Sequence, residues 1–525
     1  MILPSAPSTP AAPSTSPAPC SPAAIGFAAA GVIGLVLALA PGAGAAGVSG
    51  AGDAHGAAAA APAAASPGGR RVREPWEGKL RPCTLPEVQG GAYCGSFDVF
   101  ENREARAGRK IALKVAVLPA LGPNPAPDPI FILNGGPGEG ALSSAPELSR
   151  DPLRQRRDIV LIDTRGTGGS NPLACAIWGD GTRLDHIFPS DAVRKCLDEL
   201  QKKADLTRYT TAAAMDDVED VRGWLGYDRI NLSGGSYGTL AAQVFVTRHP
   251  EHVRSVVMVG IAKPGDPSPL YHARNAQHAL ELLGRDCARD AACHAAFPHF
   301  LDEVPQVLSN LAKQPVRVQI KIEDKPKPAT VTLTRSAAAE AIRFSLYSAQ
   351  ARLLPLVIHQ AAGGDYSRLA GAAVGLRAAL QDDLAFGLMF SVTCSEDLSR
   401  IDPREIPAAT AGTFYGDERV RDQLAACAVW PHAPKPPGSG ALPPSPVPAL
   451  LLSGERDPVT PVTDAALVAR NFPHGLLVVI PSGAHSAADS PCVQHLIADF
   501  LDRGTVQGLD TSCVRQVAPI RFDTR

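Results

Sequence analysis

The sequence lacks the marks of several functional classes. Formal net charge is −2 over 525 residues, and no Lys/Arg cluster is larger than the short run of Arg70, Arg71 and Arg73. A nucleic-acid surface needs a basic stripe, so that partner class is set aside. No Cys-x-x-Cys occurs, which removes zinc-ribbon and thioredoxin-type readings. Neither the His-Glu-x-x-His of metallopeptidases nor the Gly-x-x-x-x-Gly-Lys-Ser/Thr of phosphate loops is present. There is also no Lys or Arg before Arg70, so the positive start usual in an export signal is missing.

What stands in that leader is Ala, Pro, Gly and Ser. Ala23 to Ala40 is an uninterrupted apolar stretch, followed by Pro41 and the small residues Ala43 and Ala45. About 18 apolar residues can just span a bilayer, and small residues at this spacing resemble a signal-peptidase site. Residues 1–45 therefore read as a signal peptide or signal anchor, with membrane contact only if the leader is retained. Residues 46–75 read as a disordered linker. Cysteine usage fits export. Of 11 cysteines, Cys20 lies in the leader; the other ten fall as close neighbours, Cys83 and Cys94, Cys175 and Cys196, Cys287 and Cys293, Cys394 and Cys427, Cys492 and Cys513. Sequential pairing would give five local staples in an oxidising compartment.

The remainder alternates short apolar runs with helical patterns, the signature of a mostly parallel sheet with helices on both faces. Lys110 to Leu118, Asp128 to Leu133 and Asp158 to Ile162 are predicted strands. The second ends in Asn134-Gly-Gly-Pro-Gly-Glu-Gly140, the third in Asp163-Thr-Arg-Gly-Thr-Gly-Gly-Ser170. Asp163 and Arg165 are expected to pair and brace these loops. Ala212 to Leu225 has helical spacing, and Asp216, Asp217, Glu219 and Asp220 are expected to form its solvated face. From 264 to 430 the sheet rhythm stops. Helical patterns at Tyr271–Leu283, Ser336–Tyr347, Ala351–Ala362 and Ser367–Leu380, with a hairpin within Val316–Leu333, suggest a largely helical lid inserted between core parts 76–263 and 449–525. A Pro-rich connector, 431–448, precedes the second core part.

Three loops carry the chemistry. Arg229 to Leu232 is an apolar run ending in Gly234-Gly-Ser236-Tyr-Gly238, followed by a helical pattern from Leu240. Strand, tight turn and helix push a serine hydroxyl above the sheet, beside the first N–H groups of the helix. Ala449–Ser453 is a strand ending in Gly454-Glu-Arg-Asp457-Pro-Val-Thr-Pro461, and Gly475–Ile480 a last strand ending in Pro481-Ser-Gly-Ala-His485. A serine at its free pKa needs a base, and that base needs a carboxylate to orient it. The order Ser236, Asp457, His485 at successive strand ends supplies all three. Glu455 is the rival acid, and His474 and His495 are the rival bases. The oxyanion donors are the N–H groups of Tyr237 and Gly136.

These motifs together resemble the α/β-hydrolase superfamily, and within it the secreted prolyl and tripeptidyl aminopeptidases. Asn134-Gly-Gly-Pro-Gly138, Asp163-x-Arg-Gly-x-Gly-x-Ser170, Gly234-Gly-Ser-Tyr-Gly-Thr239, Asp457-Pro-Val-Thr-Pro461 and Gly483-x-His485 carry the likeness across Cys83 to Cys513. Asn134 stands where many prolyl aminopeptidases have histidine, and Glu139 where a small residue is common. The resemblance implies the α/β-hydrolase fold, no metal or organic cofactor, and cleavage of peptides near a free N-terminus. It also implies lid carboxylates that hold the substrate ammonium: Glu396 and Asp397, with Glu139 as a third candidate. An esterase on the same machinery, or a non-catalytic surface binding protein, are the alternatives.

Overall fold

The computed structural model describes residues 74–525 except 180, 323–326 and 435–439. The leader and nearly all of the linker expected from the sequence lie outside the described residues.

Eleven strands are described: β1 (Arg81–Cys83), β2 (Ala92–Phe100), β3 (Lys110–Leu118), β4 (Ile130–Leu133), β5 (Ile159–Ile162), β6 (Ile230–Gly235), β7 (Val253–Val259), β8 (Val316–Ile320), β9 (Ala329–Leu333), β10 (Ala449–Gly454) and β11 (Gly475–Ile480). Nine form one sheet in the order β1-β2-β3-β5-β4-β6-β7-β10-β11, while β8 and β9 make a separate hairpin. From β5 to β11 every neighbour is parallel. The first three strands form an antiparallel edge that joins β5 through β3.

Period-two geometry explains why the central runs are continuously apolar. Val256 and Met258 on β7 pack into one hydrophobic cluster, while Val257 and Val259 pack into the cluster on the opposite face. Leu451 and its neighbours Leu450 and Leu452 divide in the same way. Strand β3 is half-covered where it begins: Lys110, Ala112 and Lys114 are exposed, while Ile111 and Leu113 are buried. A parallel sheet aligns its strand ends, so the loops after β4, β5, β6, β10 and β11 all leave one edge. Close packing there leaves little room for side chains. A Cβ on Gly238 would stand 1.9 Å from the Leu133 carbonyl oxygen, so glycine lets the helix Tyr237–Arg248 seat against β4.

Between β7 and β10 the chain builds helices at His272–Arg289, Phe300–Lys313, Arg335–Ser345, Leu354–Ala362, Ser367–Asp383, Phe386–Glu396 and Glu418–Cys427, along with the β8–β9 hairpin. The helix Phe386–Glu396 is buried from Phe386 through Ser395. A helix apolar all round has no solvent face to offer, which is why periodicity did not single it out. It is anchored on the core by Ala385 N–H to the Gly138 carbonyl (3.1 Å) and Gly387 N–H to the Leu173 carbonyl (2.7 Å).

Two expectations require correction, and one contact accounts for both. Arg165 does not pair with Asp163. Its Nε donates to Asp217 Oδ2 at 2.7 Å and its Nη2 to Oδ1 at 2.8 Å. Asp217 is therefore not on a solvated face: it is fully buried, whereas Asp220 is exposed. A guanidinium is a planar fork that matches a carboxylate, and its remaining donors reach the Glu101 and Arg208 carbonyls at 3.0 and 2.8 Å. Asp163 instead accepts from Leu142 N–H (3.0 Å) and Gly169 N–H (2.8 Å), tying the loop after β5 to the segment after β4, so it braces the two loops without Arg165.

All ten cysteines outside the leader are paired, as Cys83–Cys94, Cys175–Cys196, Cys287–Cys293, Cys394–Cys427 and Cys492–Cys513. The largest sequence separation bridged is 33 residues. Among the described residues no helix is long and apolar enough to cross a membrane.

Candidate active site

Ser236 stands between β6 and the helix Tyr237–Arg248 with φ 53° and ψ −124°. A positive φ on a non-glycine residue costs on the order of 1–3 kcal/mol, so the surroundings must impose it. They do so from both sides. The Ser236 N–H donates to the Val259 carbonyl at 2.9 Å, and the Ser236 carbonyl accepts from Thr239 N–H (2.9 Å) and Thr239 Oγ1 (2.6 Å). No side chain caps this helix, so the Tyr237 N–H opens it uncovered, where the helix dipole favours negative charge.

Asp457 and His485 meet at the same edge. His485 Nδ1 lies 2.8 Å from Asp457 Oδ2. Thr460 Oγ1 donates to that same oxygen at 2.7 Å, while the N–H groups of Val459 (2.9 Å) and Thr460 (2.8 Å) donate to Oδ1. Each carboxylate oxygen thus accepts from two donors, which fixes the plane facing the imidazole. Asp457 closes this turn on its own backbone, a habit of Asp before Pro that the Asp-Pro-Val-Thr-Pro run carries in sequence. Thr460, unremarked in the sequence reading, is the side chain that completes it.

His485 is buried, and its Nε2 has no hydrogen-bond partner among the described residues. No hydrogen bond joins it to the Ser236 hydroxyl among those residues either. The two side chains nonetheless flank one stretch of backbone. Ser236 is bonded to Val259, and a Cβ on the next residue, Gly260, would stand 2.8 Å from His485 Cε1. Catalytic hydrogen bonds are often loose without substrate and tighten in the complex. The rivals are elsewhere: Glu455 is exposed and accepts from Ser482 N–H, and His474 and His495 are both exposed.

A cavity of about 1200 Å³, counted to its open mouth, lies over Ser236. Gly136, Pro137, Glu139 and Tyr237 line it together with Asp397, Asp266, Lys263 and Asp464. Gly136 has φ 104°, a conformation that favours glycine and turns the loop after β4 toward the serine. Glu139 lies behind that turn, accepting from Gly135 N–H at 3.2 Å. Burial first, then the nearby Asp383 charge, push its carboxyl up to about 8, against the pull of the Gly135 N–H.

That shift has a sign that can be tested. Below about 4.5 Glu139 is protonated whether folded or not; between there and about 8 only the folded state keeps the proton. Its contribution to stability is therefore full at the acid end and lost as pH rises through about 8. Glu139→Gln, which stays neutral, should match the wild type near the lower value and gain a widening advantage in melting temperature toward the upper one. Parallel melting curves across that range would refute the assignment.

The structure separates the two lid acids. Glu396 Oε1 accepts from Thr211 N–H and Oε2 from Thr211 Oγ1, both at 2.7 Å, and Thr211 Oγ1 lies 2.7 Å from the Tyr237 hydroxyl. Glu396 does not line the cavity over Ser236; it ties the helix Phe386–Glu396 to the residue after the serine. Asp397 does line that cavity. Burial, then the Glu396 and Asp266 charges, hold its carboxyl well above the usual range. Lys263 Nζ bridges Asp266 (3.0 Å) and Asp464 (3.2 Å) on the same wall. Those three residues were not singled out in sequence, where isolated charges in loops have no distinguishing pattern.

Family models agree with the geometry. The alpha/beta hydrolase fold model matches residues 128–285, and the TAP-like protein model matches residues 412–513. Serine protease Hip1 of Mycobacterium tuberculosis is 27% identical over 503 residues, covering 85% of this chain and 93% of that protein. Tripeptidyl aminopeptidase of Streptomyces lividans is 24% identical over 493 residues, covering 85% and 87%. Proline iminopeptidase of Neisseria gonorrhoeae is 32% identical over 142 residues, which is 26% of this chain and 34% of that protein. Nucleophile turn, acid–imidazole pair and both matched segments converge: the chain has the α/β-hydrolase fold and is similar, over 85% of its length, to proteins of the tripeptidyl-aminopeptidase-like group.

Proposed function

We propose that the chain is an exported serine exopeptidase that cleaves peptides near a free N-terminus, with the helical segment 264–430 as its lid. The observation that carries this reading is the buried Asp457–His485 contact of 2.8 Å, with Nε2 left unpartnered beside a strained serine. In this scheme Nε2 takes the Ser236 proton as the hydroxyl attacks the peptide carbonyl carbon. The N–H groups of Tyr237 and Gly136 receive the oxyanion. The imidazolium returns the proton to the leaving amine, and water then hydrolyses the ester formed on Ser236. The five disulfides favour an oxidising compartment outside the cytoplasm. The relatives named tripeptidyl aminopeptidase and proline iminopeptidase favour a peptide substrate.

The substrate ammonium is assigned to Asp397, with Glu139 as a second candidate, because both line the cavity over Ser236. An ammonium in the cavity favours the ionised carboxylate that burial disfavours at Asp397. The charged hydrogen bond it then makes is worth about 2–3 kcal/mol, or roughly 30- to 150-fold in kcat/KM. Wild type should therefore cleave free-amine peptides, N-acetylated ones should lose about that factor, and Asp397→Asn should shrink the gap. Ser236→Ala should be inert on all of them. Equal turnover of free and acetylated peptides would remove the aminopeptidase reading, and turnover of simple esters alone would replace it with an acyl hydrolase.

A further inference from the structure

The cavity is polarised. Asp397 and Asp266 mark one part of its wall, while Arg343, Arg419 and His272 line another. The two arginines are held by rings rather than by acids. The Arg419 guanidinium carbon lies 4.7 Å over Phe188, and that of Arg343 lies 5.0, 5.1 and 5.5 Å from the Phe344, Tyr347 and Tyr415 ring centres. Among the described residues neither forms an ion pair with a carboxylate, and Nε of each is buried without a hydrogen-bond partner.

Their neighbours do not neutralise them. Arg343 Nη2 lies 3.2 Å from His272 Nδ1, and the other nitrogen of His272 faces Ser268 Oγ at 3.1 Å. Burial, then the Arg343 and Arg419 charges, hold His272 well below the usual imidazole range, so it stays neutral. Glu340 is the nearby acid. It does not line the cavity, and its carboxylate lies 3.6 Å from a third buried arginine, Arg377. Arg377 also has Asp185 near it, so Glu340 is the one carboxylate among the described residues whose charge reaches Arg343 and Arg419, and it is shared with Arg377. An excess of positive charge is left at the cavity wall. A π face holds a guanidinium without using its in-plane N–H donors; those of Arg343 Nη2 go to Tyr347 and His272, and the Nη donors of Arg419 have no partner among the described residues and are open to a ligand anion.

The position suits a substrate. Arg343 Nη2 donates to the Tyr347 hydroxyl, and the edge of the Tyr347 ring meets His485 with centroids 5.0 Å apart. One aromatic ring thus separates the arginine from the imidazole, a distance that an acidic group on a residue near the scissile bond can reach.

We propose that the Arg343–Arg419 wall binds a substrate carboxylate, so that the preferred peptides carry a negative charge as well as a free ammonium. The inference deepens the peptidase reading and rests on it for the word substrate. The carboxylate is either an Asp or Glu side chain or the C-terminal carboxylate of a short peptide, since both present the same planar anion.

The test separates these sources and does not require turnover. Calorimetry on Ser236→Ala would compare free-amine tripeptides carrying Glu or Gln at each position, each as the C-terminal acid and as the amide. The charged member should bind at least about tenfold more tightly. A preference that follows Glu over Gln assigns the side chain; one that follows acid over amide assigns the C-terminus. Adding Arg419→Gln, a position less buried than Arg343, should bring the ratio toward one, and Arg343→Gln should do the same if it folds. Equal binding of charged and neutral members would overturn the proposal, as would a preference that survives Arg419→Gln. Discrimination in binding without cleavage of any free-amine peptide by wild type would defeat the peptidase reading and leave this one standing.

Discussion

Asp457→Asn is expected to lower kcat on a free-amine peptide by about 10⁴-fold while the protein stays folded. The hydrogen bonds dictate the reason. Oδ1 accepts from the Val459 and Thr460 N–H groups, so the amide oxygen of an asparagine must take that place. The amide nitrogen then faces His485 Nδ1, where Asp457 Oδ2 now stands at 2.8 Å. It donates, so Nδ1 must be the unprotonated nitrogen and Nε2 carries the hydrogen. An imidazole in that tautomer cannot accept the proton of Ser236. The loss should appear both in peptide turnover and in the rate at which an organophosphonate labels Ser236, which needs no knowledge of the natural substrate. A fall of less than about tenfold in the labelling rate would mean that Asp457 does not orient the base.

Asp217→Ala should cost about 3–5 kcal/mol of stability, far more than an ordinary surface acid. Arg165 is almost wholly buried, and Asp217 supplies the only carboxylate it pairs with among the described residues. Removing the acid strands a guanidinium in the protein interior, with two of its donors facing the space left behind. Arg103 Nη1, 2.6 Å from Asp217 Oδ1, loses a partner at the same time. Replacing both buried partners, as Arg165→Met with Asp217→Leu, should recover much of the loss, because no unpaired charge remains. Urea midpoints for the single and double variants decide it. A single-variant loss near that of Asp220→Ala, an exposed acid on the same helix, would contradict the account.

That pair also shows where the sequence stops being legible. The parallel strands are read directly from their apolar runs, whereas β1 and β2 of the antiparallel edge bury little of either face and carry no such run. Ser236, Asp457 and His485 follow from their places after strands, because topology puts all such loops at one edge. Asp217 is different. Helical spacing assigns faces, and Asp217 lies beside Val218 and one turn before Val221, on the margin of the buried stripe. Only the fold, by bringing in Arg165 from 52 residues away, makes that margin an interior. Glu396 and Asp397 illustrate the same limit within two residues. Neighbours on a helix point in directions about 100° apart, and here only Asp397 lines the cavity. The sequence favoured Glu396; Thr211 takes both of its oxygens. The polar wall of Arg343, Arg419 and His272 comes from three separate helices or their ends and has no local pattern to detect.

The short reach of the disulfides has a consequence for the integrity of the polypeptide. Each bond closes a loop on one side of the connector at 431–448, and none crosses it. A single peptide-bond scission there would leave the serine on one fragment and the imidazole with its aspartate on the other. In native buffer the fragments would stay associated through the β7–β10 ladder, and they would come apart in denaturant without any thiol.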